Sequence, residues 1–251
     1  MGGGAFLEEL LAAQDAVAFA ARVGIGADTW QSQMLRSKSK RMLLNCSRQA
    51  GKSTAASVLG LHRALYRLGS LVLLVSPSMR QSSELFRKVL GLFNQLEPRP
   101  RLVEESATKL SLANGSRIVS LPSSEETVRG FSGANLIIED EASRVDDALY
   151  ESIRPMLITS GGTLILMSTP FGQRGHFHHE WTEGTDPWER IRITADQCPR
   201  IPAEALAAER ARGEWWYRQE YGCEFLDTDD QAFASEYIQA AIDPSVEALC
   251  L

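Results

Sequence analysis

Cysteine is scarce in this sequence: four residues in 251, at positions 46, 198, 223 and 250, with no Cys-x-x-Cys pair. That spacing supplies neither a zinc site nor a disulfide framework, and it fits a reducing, cytoplasmic setting. Positive charge is short as well. Twenty-six Lys and Arg against 32 Asp and Glu leave a formal net charge of -6. This excludes a protein that coats nucleic acid through bulk charge, because phosphate neutralisation needs clustered cations. No apolar run approaches the roughly 20 residues of a bilayer span. The stretch from Phe6 to Val23 is interrupted by Glu8, Glu9, Asp15 and Arg22, so it reads as an amphipathic helix and not as a signal peptide or membrane anchor. No internal repeat or low-complexity segment is present. What is there is a chain that is 44% hydrophobic and 23% charged, enough to bury the core of one large globular domain and to exclude disorder.

From Arg41 onward short apolar runs alternate with helical patterns: Met42 to Leu44, Lys52 to Leu68, Leu71 to Val75, Arg80 to Leu96. That alternation predicts an α/β fold with a mainly parallel sheet flanked by helices. Two runs flank Asn114-Gly115, a dipeptide suited to a tight turn, so a β-hairpin is expected from Lys109 to Val119. Two more buried strands are expected at Asn135 to Glu139 and Thr163 to Met167. Ligand sites in such sheets lie at the strands' carboxyl ends. After Pro170 the pattern loosens, with Trp181, Trp188, Trp215, Trp216 and Tyr217 among charges. The expected organisation is a helical segment over 1–27, a nucleotide-binding core over 28–170, a small helical lid subdomain over 171–233 and a tail over 234–251.

The loop after the first strand carries the chemistry. Ser47, Arg48, Gln49, Ala50, Gly51, Lys52, Ser53 and Thr54 follow Cys46 and match the phosphate-binding G-x-x-x-x-G-K-[ST] pattern, except that Cys46 stands at the first glycine. A strand before and a helix after aim backbone N–H groups and the positive helix end at one anion. Lys52 then reaches the β/γ-phosphates of ATP and Ser53 offers a hydroxyl to Mg2+. Farther on, Leu136-Ile137-Ile138-Glu139-Asp140-Glu141 is an apolar strand ending in three acids, the Walker B arrangement. Asp140 is placed for the metal, Glu141 for polarising the attacking water, and Glu139 for the opposite face of the strand.

These residues resemble the ATPase domain of the large terminase subunit, the motor that packages DNA into tailed-phage heads. Terminase loops resemble the Ser47-Arg48-Gln49-x-Gly51-Lys52-Ser53 form and typically lack the first glycine, so the resemblance accounts for Cys46. It implies a P-loop NTPase of the additional-strand, catalytic-glutamate type. It also implies an adenine-sensing glutamine motif at Trp30-Gln31, where the amide meets adenine and the ring offers a stacking face. Val128-Arg129-Gly130, with Arg129 eleven residues before Asp140, is similar in placement to an arginine finger acting on a neighbouring subunit. Ser168 and Thr169 of Leu166-Met167-Ser168-Thr169-Pro170-Phe171-Gly172 resemble the coupling motif that senses γ-phosphate. Val75-Ser76-Pro77-Ser78, Gln81 and Gln219 to Phe225 extend the resemblance over roughly 28–233. The implied catalytic set is Lys52, Arg48, Arg129 and Glu141. The implied partners are double-stranded DNA, a ring of identical subunits, a portal protein and a small terminase subunit, with no membrane.

A full terminase continues into a metal-dependent nuclease. Asp227, Asp229 and Asp230 sit in one short segment, whereas two-metal cleavage needs carboxylates from several strands, so the expectation is a motor without its cutter. His176-Phe177-His178-His179 reads as a surface turn more readily than as metal ligands, since adjacent histidines splay apart. The Trp215-Trp216-Tyr217 group reads as core more readily than as a stacking platform for bases. Two rivals remain on sequence alone: another DNA-dependent ATPase such as a helicase, which no second motor domain supports, and a nucleotide-regulated binding module with little turnover.

Overall fold

A computed structural model describes residues 3–122, 128, 130–227 and 241. The strands are β1 Arg41–Cys46, β2 Leu71–Ser76, β3 Leu102–Glu105, β4 Lys109–Leu112, β5 Arg117–Pro122, β6 Leu136–Asp140, β7 Thr163–Ser168 and β8 Glu189–Ile193. They form one sheet in the order β3-β4-β5-β2-β6-β7-β1-β8. All pairs from β5 to β8 are parallel, while β3-β4 and β4-β5 are antiparallel. β7 lies between β1 and β6, which is the additional strand that the sequence resemblance implies.

The apolar alternation of the strands builds two cores. Met42, Leu44, Val72, Leu74, Ile138, Ile165 and Met167 face one side, where they meet α2 Ala16–Arg22, α3 Thr29–Arg36, α4 Lys52–Tyr66 and α5 Met79–Asn94. Leu43, Leu73, Ile137, Leu164 and Leu166 face the other, against α6 Asp147–Ile153 and α7 Gly175–Thr182. Strands buried on both faces read as continuous apolar runs, which is why the sequence announced them. α1 Gly3–Gln14 packs at the margin of the first core through Ala12, and α8 Ala203–Arg212 and α9 Glu214–Glu220 lie outside both layers.

Within the small helical lid expected over 171–233, the described residues 171–227 hold helices and also one strand. Glu189-Arg190-Ile191-Arg192-Ile193 alternates charge with isoleucine, a half-buried edge pattern, and it pairs with β1 along the outer rim of the sheet. The expected hairpin does form, around Gly115 at φ 84°. Its second strand, β5, pairs directly with β2 and so belongs to the main sheet. Residues 228–240 and 242–251 lie outside the described residues, as does most of the expected tail.

The histidine cluster is also not a surface turn. It lies in α7, with His176 and Phe177 buried. His176 Nε2 meets the fully buried Glu139 Oε1 at 2.7 Å, and its Nδ1 meets Asp147 Oδ1 at 3.0 Å. Tyr150 stacks on the imidazole at 4.5 Å between centroids. The Tyr150 hydroxyl donates to Glu180 Oε1 at 2.9 Å, and Trp188 Nε1 donates to Glu180 Oε2 at 2.7 Å. Among the described residues no group of three or more His, Cys, Asp or Glu side chains is gathered to hold a metal ion, here or elsewhere. The chain compensates a carboxylate on the rear of β6 with a histidine from α7.

Burial by itself lowers the His176 pKa, but the carboxylates of Glu139 and Asp147 outweigh it and hold the value above the ordinary 6.5. A raised histidine stabilises fully below its unfolded value and loses that contribution as pH rises through its folded one. His176→Ala, which strips a buried carboxylate of its partner, therefore costs roughly 3–5 kcal/mol at pH 6 and less at alkaline pH. Thermal unfolding across pH checks this, and a mutant deficit that stays constant with pH contradicts a charged imidazole.

Candidate nucleotide site

β1 runs directly into the phosphate loop. Cys46 is still in the strand, paired with Ile193, and is fully buried. The turn needs no glycine there because its left-handed residues come later, at Gln49 (φ 57°) and Gly51 (φ 91°). The φ of Gly51 favours glycine, and a Cβ there would also displace the side-chain ends of Arg200 and Gln31, whose Nη2 and Nε2 it would meet at 2.6 Å and 2.8 Å. Ser47 N–H donates to Ile193 O at 2.8 Å, and α4 then starts at Lys52. The first N–H groups of that helix have no acceptor within it and sum with its dipole into an anion site.

Lys52 and Glu141 meet at 2.8 Å. Burial alone pulls the Lys52 pKa down, but the carboxylates of Glu141 and Asp140 carry it above its usual value, so the ammonium stays charged. Ser53 Oγ donates to Asp140 Oδ2 at 3.4 Å, and Asp140 Oδ1 accepts from the Glu141 N–H at 3.0 Å. Burial pushes Asp140 up to about 6; Lys52 opposes this and the Glu141 charge adds to it. Glu141 stands in the left-handed region at φ 56°, a conformation that costs a non-glycine residue on the order of 1 kcal/mol. The 3-10 turn Ala142–Arg144 holds it, with Arg144 N–H donating to Glu141 O at 2.9 Å.

The end of β7 is wired to this turn. Ser143 Oγ lies 2.7 Å from Ser168 Oγ and donates to Thr169 O at 2.8 Å, while Ser168 Oγ reaches Glu141 Oε2 at 3.5 Å. Arg48, Gln49, Lys52, Gln81, Glu141, Arg144 and Thr169 surround a cavity of about 370 Å³. A smaller one of about 170 Å³, beside Ser53, Asp140 and Glu141, adjoins it.

Several expected residues are placed differently from the sequence reading. Trp30 is buried in the helical core at 5% exposure, so its ring presents no free face to a base. Gln31 is buried too, accepting from Asp28 N–H at 3.0 Å and donating to Gly51 O at 3.2 Å. It braces the loop. Arg48 lines the cavity, but its guanidinium pairs with buried Glu220 and lies 5.3 Å from the Trp216 ring. Ala50 is buried, and Thr54 N–H closes on Gly51 O at 3.1 Å. Of the aromatic trio only Tyr217 is core, since Trp215 is 45% exposed. Arg129 lies outside the described residues.

Sequence reasoning missed Arg200, Glu220, Ser143 and Arg144. Arg200 Nη2 donates to Ala50 O at 2.6 Å and its Nη1 pairs with Asp28 at 2.6 Å. Nothing local in the sequence links positions 28, 50 and 200. Arg144 had a signal: one 3-10 turn after Glu141, it had to lie beside the acids.

The large terminase subunit of Thermus phage G20c is 26% identical to this chain over 235 residues, covering 79% of this chain and 48% of that protein; that of Thermus virus P23-45 matches equally. The chain thus spans about half the length of the curated relatives it matches. Among solved structures, the large terminase ATPase domain of Thermus phage P74-26 superposes with a TM-score of 0.71 at 23% identity, covering 83% of this chain and 97% of that one. The HK97 bacteriophage large terminase gives 0.69 at 17%, covering 85% and 55%. A large terminase from a thermophilic bacteriophage, solved in complex with ADP, gives 0.62 at 14%, covering 79% and 54%. These likenesses confirm the fold. Matched over residues 43–240 by the family model described as terminase large subunit, T4likevirus-type, N-terminal, the chain belongs to the large terminase subunit family.

Proposed function

We propose that this chain is an ATP-hydrolysing motor module that couples ATP hydrolysis to translocation of double-stranded DNA into a procapsid. The observation that carries the proposal is the convergence of two pairs, Lys52 with Glu141 at 2.8 Å and Ser53 with Asp140 at 3.4 Å, at the mouth of a parallel sheet. Lys52 and the loop N–H groups bind and orient the phosphates. Glu141 accepts a proton from the attacking water, with Ser168 contacting its carboxylate and the turn at Ala142–Arg144 holding its backbone. Ser53 and Asp140 fit a hard cation, offering adjacent hydroxyl and carboxylate oxygens in a buried site whose carboxylate lacks a full counter-charge. Mg2+ held there supplies charge neutralisation to the phosphates. Arg129 acts on a neighbouring subunit's nucleotide, and the working form is a homo-oligomeric ring on a portal, assisted by a small subunit.

Among the described residues no helix is long and apolar enough to cross a membrane. The proposed setting is the cytoplasm, where DNA and procapsid would meet.

Glu141→Gln should keep ATP binding and lose turnover by about 100-fold or more, the size of a lost general base. Phosphate release with and without duplex DNA measures it, and undiminished hydrolysis removes Glu141 from its role. Mixing Arg129→Ala with Glu141→Gln protein should restore part of the activity, because each hybrid interface can combine one intact arginine with one intact glutamate. Absence of rescue at every mixing ratio rules out the shared site. Since Asp140 must be ionised to hold a cation, Mg2+-dependent nucleotide affinity should fall as pH drops through about 6. Titration from pH 8 to 5 reads this, and a flat profile contradicts Asp140 as the ligand.

A further inference from the structure

Three guanidinium or ammonium groups line the 370 Å³ cavity, on Arg48, Lys52 and Arg144. Two already have carboxylate partners. Arg48 pairs with Glu220, and Lys52 pairs with Glu141. Arg144 is exposed, forms no ion pair among the described residues, and rests with its guanidinium carbon 3.9 Å from the ring centre of Phe171. Arg174 crowds the same ring at 5.3 Å. A guanidinium parked on an aromatic face is held weakly compared with one making paired, charge-assisted bonds to phosphate. The planar fork of arginine suits a phosphate's paired oxygens.

The position of Arg144 is fixed as closely as that of the general base. Its N–H closes the turn on Glu141 O at 2.9 Å. The preceding residue, Ser143, is bonded to Ser168 Oγ and Thr169 O. Phe171 lies two residues beyond Thr169, on the segment that leads into α7. One short turn therefore carries the base, the hydroxyl contact to the coupling segment and a cation that has no ion pair among the described residues and stands between the nucleotide cavity and a second cavity lined by Phe171 and Arg174.

We propose that Arg144 binds the terminal phosphate of ATP within its own subunit, leaving Phe171 to do so, and makes the site distinguish a triphosphate from a diphosphate. The inference rests on the ATP-site reading above. Loss of the terminal phosphate returns Arg144 to Phe171, so the nucleotide state is written onto the segment after β7.

The test compares ADP with a non-hydrolysable ATP analogue by competition against a fluorescent nucleotide, at protein concentrations below self-association. Arg144→Ala should weaken the ATP analogue at least tenfold while ADP stays within twofold of the unmodified protein. Turnover should fall about 100-fold, with part of it restored by added guanidinium ion. Arg144→Lys should recover part of the discrimination. Equal losses for both nucleotides, or no loss for either, overturn the proposal, and so does a loss that appears only once subunits associate. Failure of the unmodified protein to bind either nucleotide overturns this inference and the ATP-site reading together, whereas binding of both without discrimination overturns only the role of Arg144.

Discussion

The site depends on one spacing: β1 and β6 stand two strands apart with β7 between them. Adjacent strands lie about 4.8 Å apart, so their carboxyl ends are separated by roughly 10 Å. That gap is too wide for the backbones to touch and narrow enough for one lysine to cross. Lys52 reaches Glu141 across it, and the start of α4 brings Ser53 to Asp140. The Ser143, Ser168 and Thr169 contacts come from the same arrangement, since β7 delivers its end between loop and acids.

Pleating then divides the acids of β6 by role. Glu139 and Asp140 point to opposite faces of one buried strand, and each meets a different compensation. Glu139 receives a histidine from α7 at the rear. Asp140 receives a hydroxyl, a backbone N–H, a lysine shared with Glu141 and the more distant charge of Lys88, and burial still leaves it pushed up to about 6. A buried carboxylate with an incomplete counter-charge is poised for a cation. Its neighbour one residue back is answered at Oε1 by His176, while its Oε2 is buried without a hydrogen-bond partner among the described residues.

How much of this was legible in the sequence follows from locality. The strands β1, β2, β6 and β7 are buried on both faces and announced themselves as apolar runs. The phosphate loop and Walker B acids are contiguous motifs, so their residues could be named, and Glu139 was rightly assigned to the far face. What stayed hidden needs contacts between distant positions. Arg200 reaching Ala50, Glu220 under Arg48, and His176 against Glu139 join residues far apart in the chain. Trp30-Gln31 shows the reverse failure. A motif suggested a base-stacking ring, but the tryptophan is more useful to the core than to a ligand, and the glutamine turns to the loop backbone. β8 escaped notice because an edge strand needs only alternate apolar residues.

That edge strand bears on how copies of this chain meet. β8 ends one side of the sheet and carries Glu189, Arg190 and Arg192 along five residues; β3 ends the other with Glu104 and Glu105 in four residues and an irregular register. Short, charged, irregular rims discourage strand addition between molecules. Copies of this chain are thereby discouraged from joining sheet to sheet into open-ended ribbons, which leaves the two rims of the sheet as boundaries of the fold rather than points of growth.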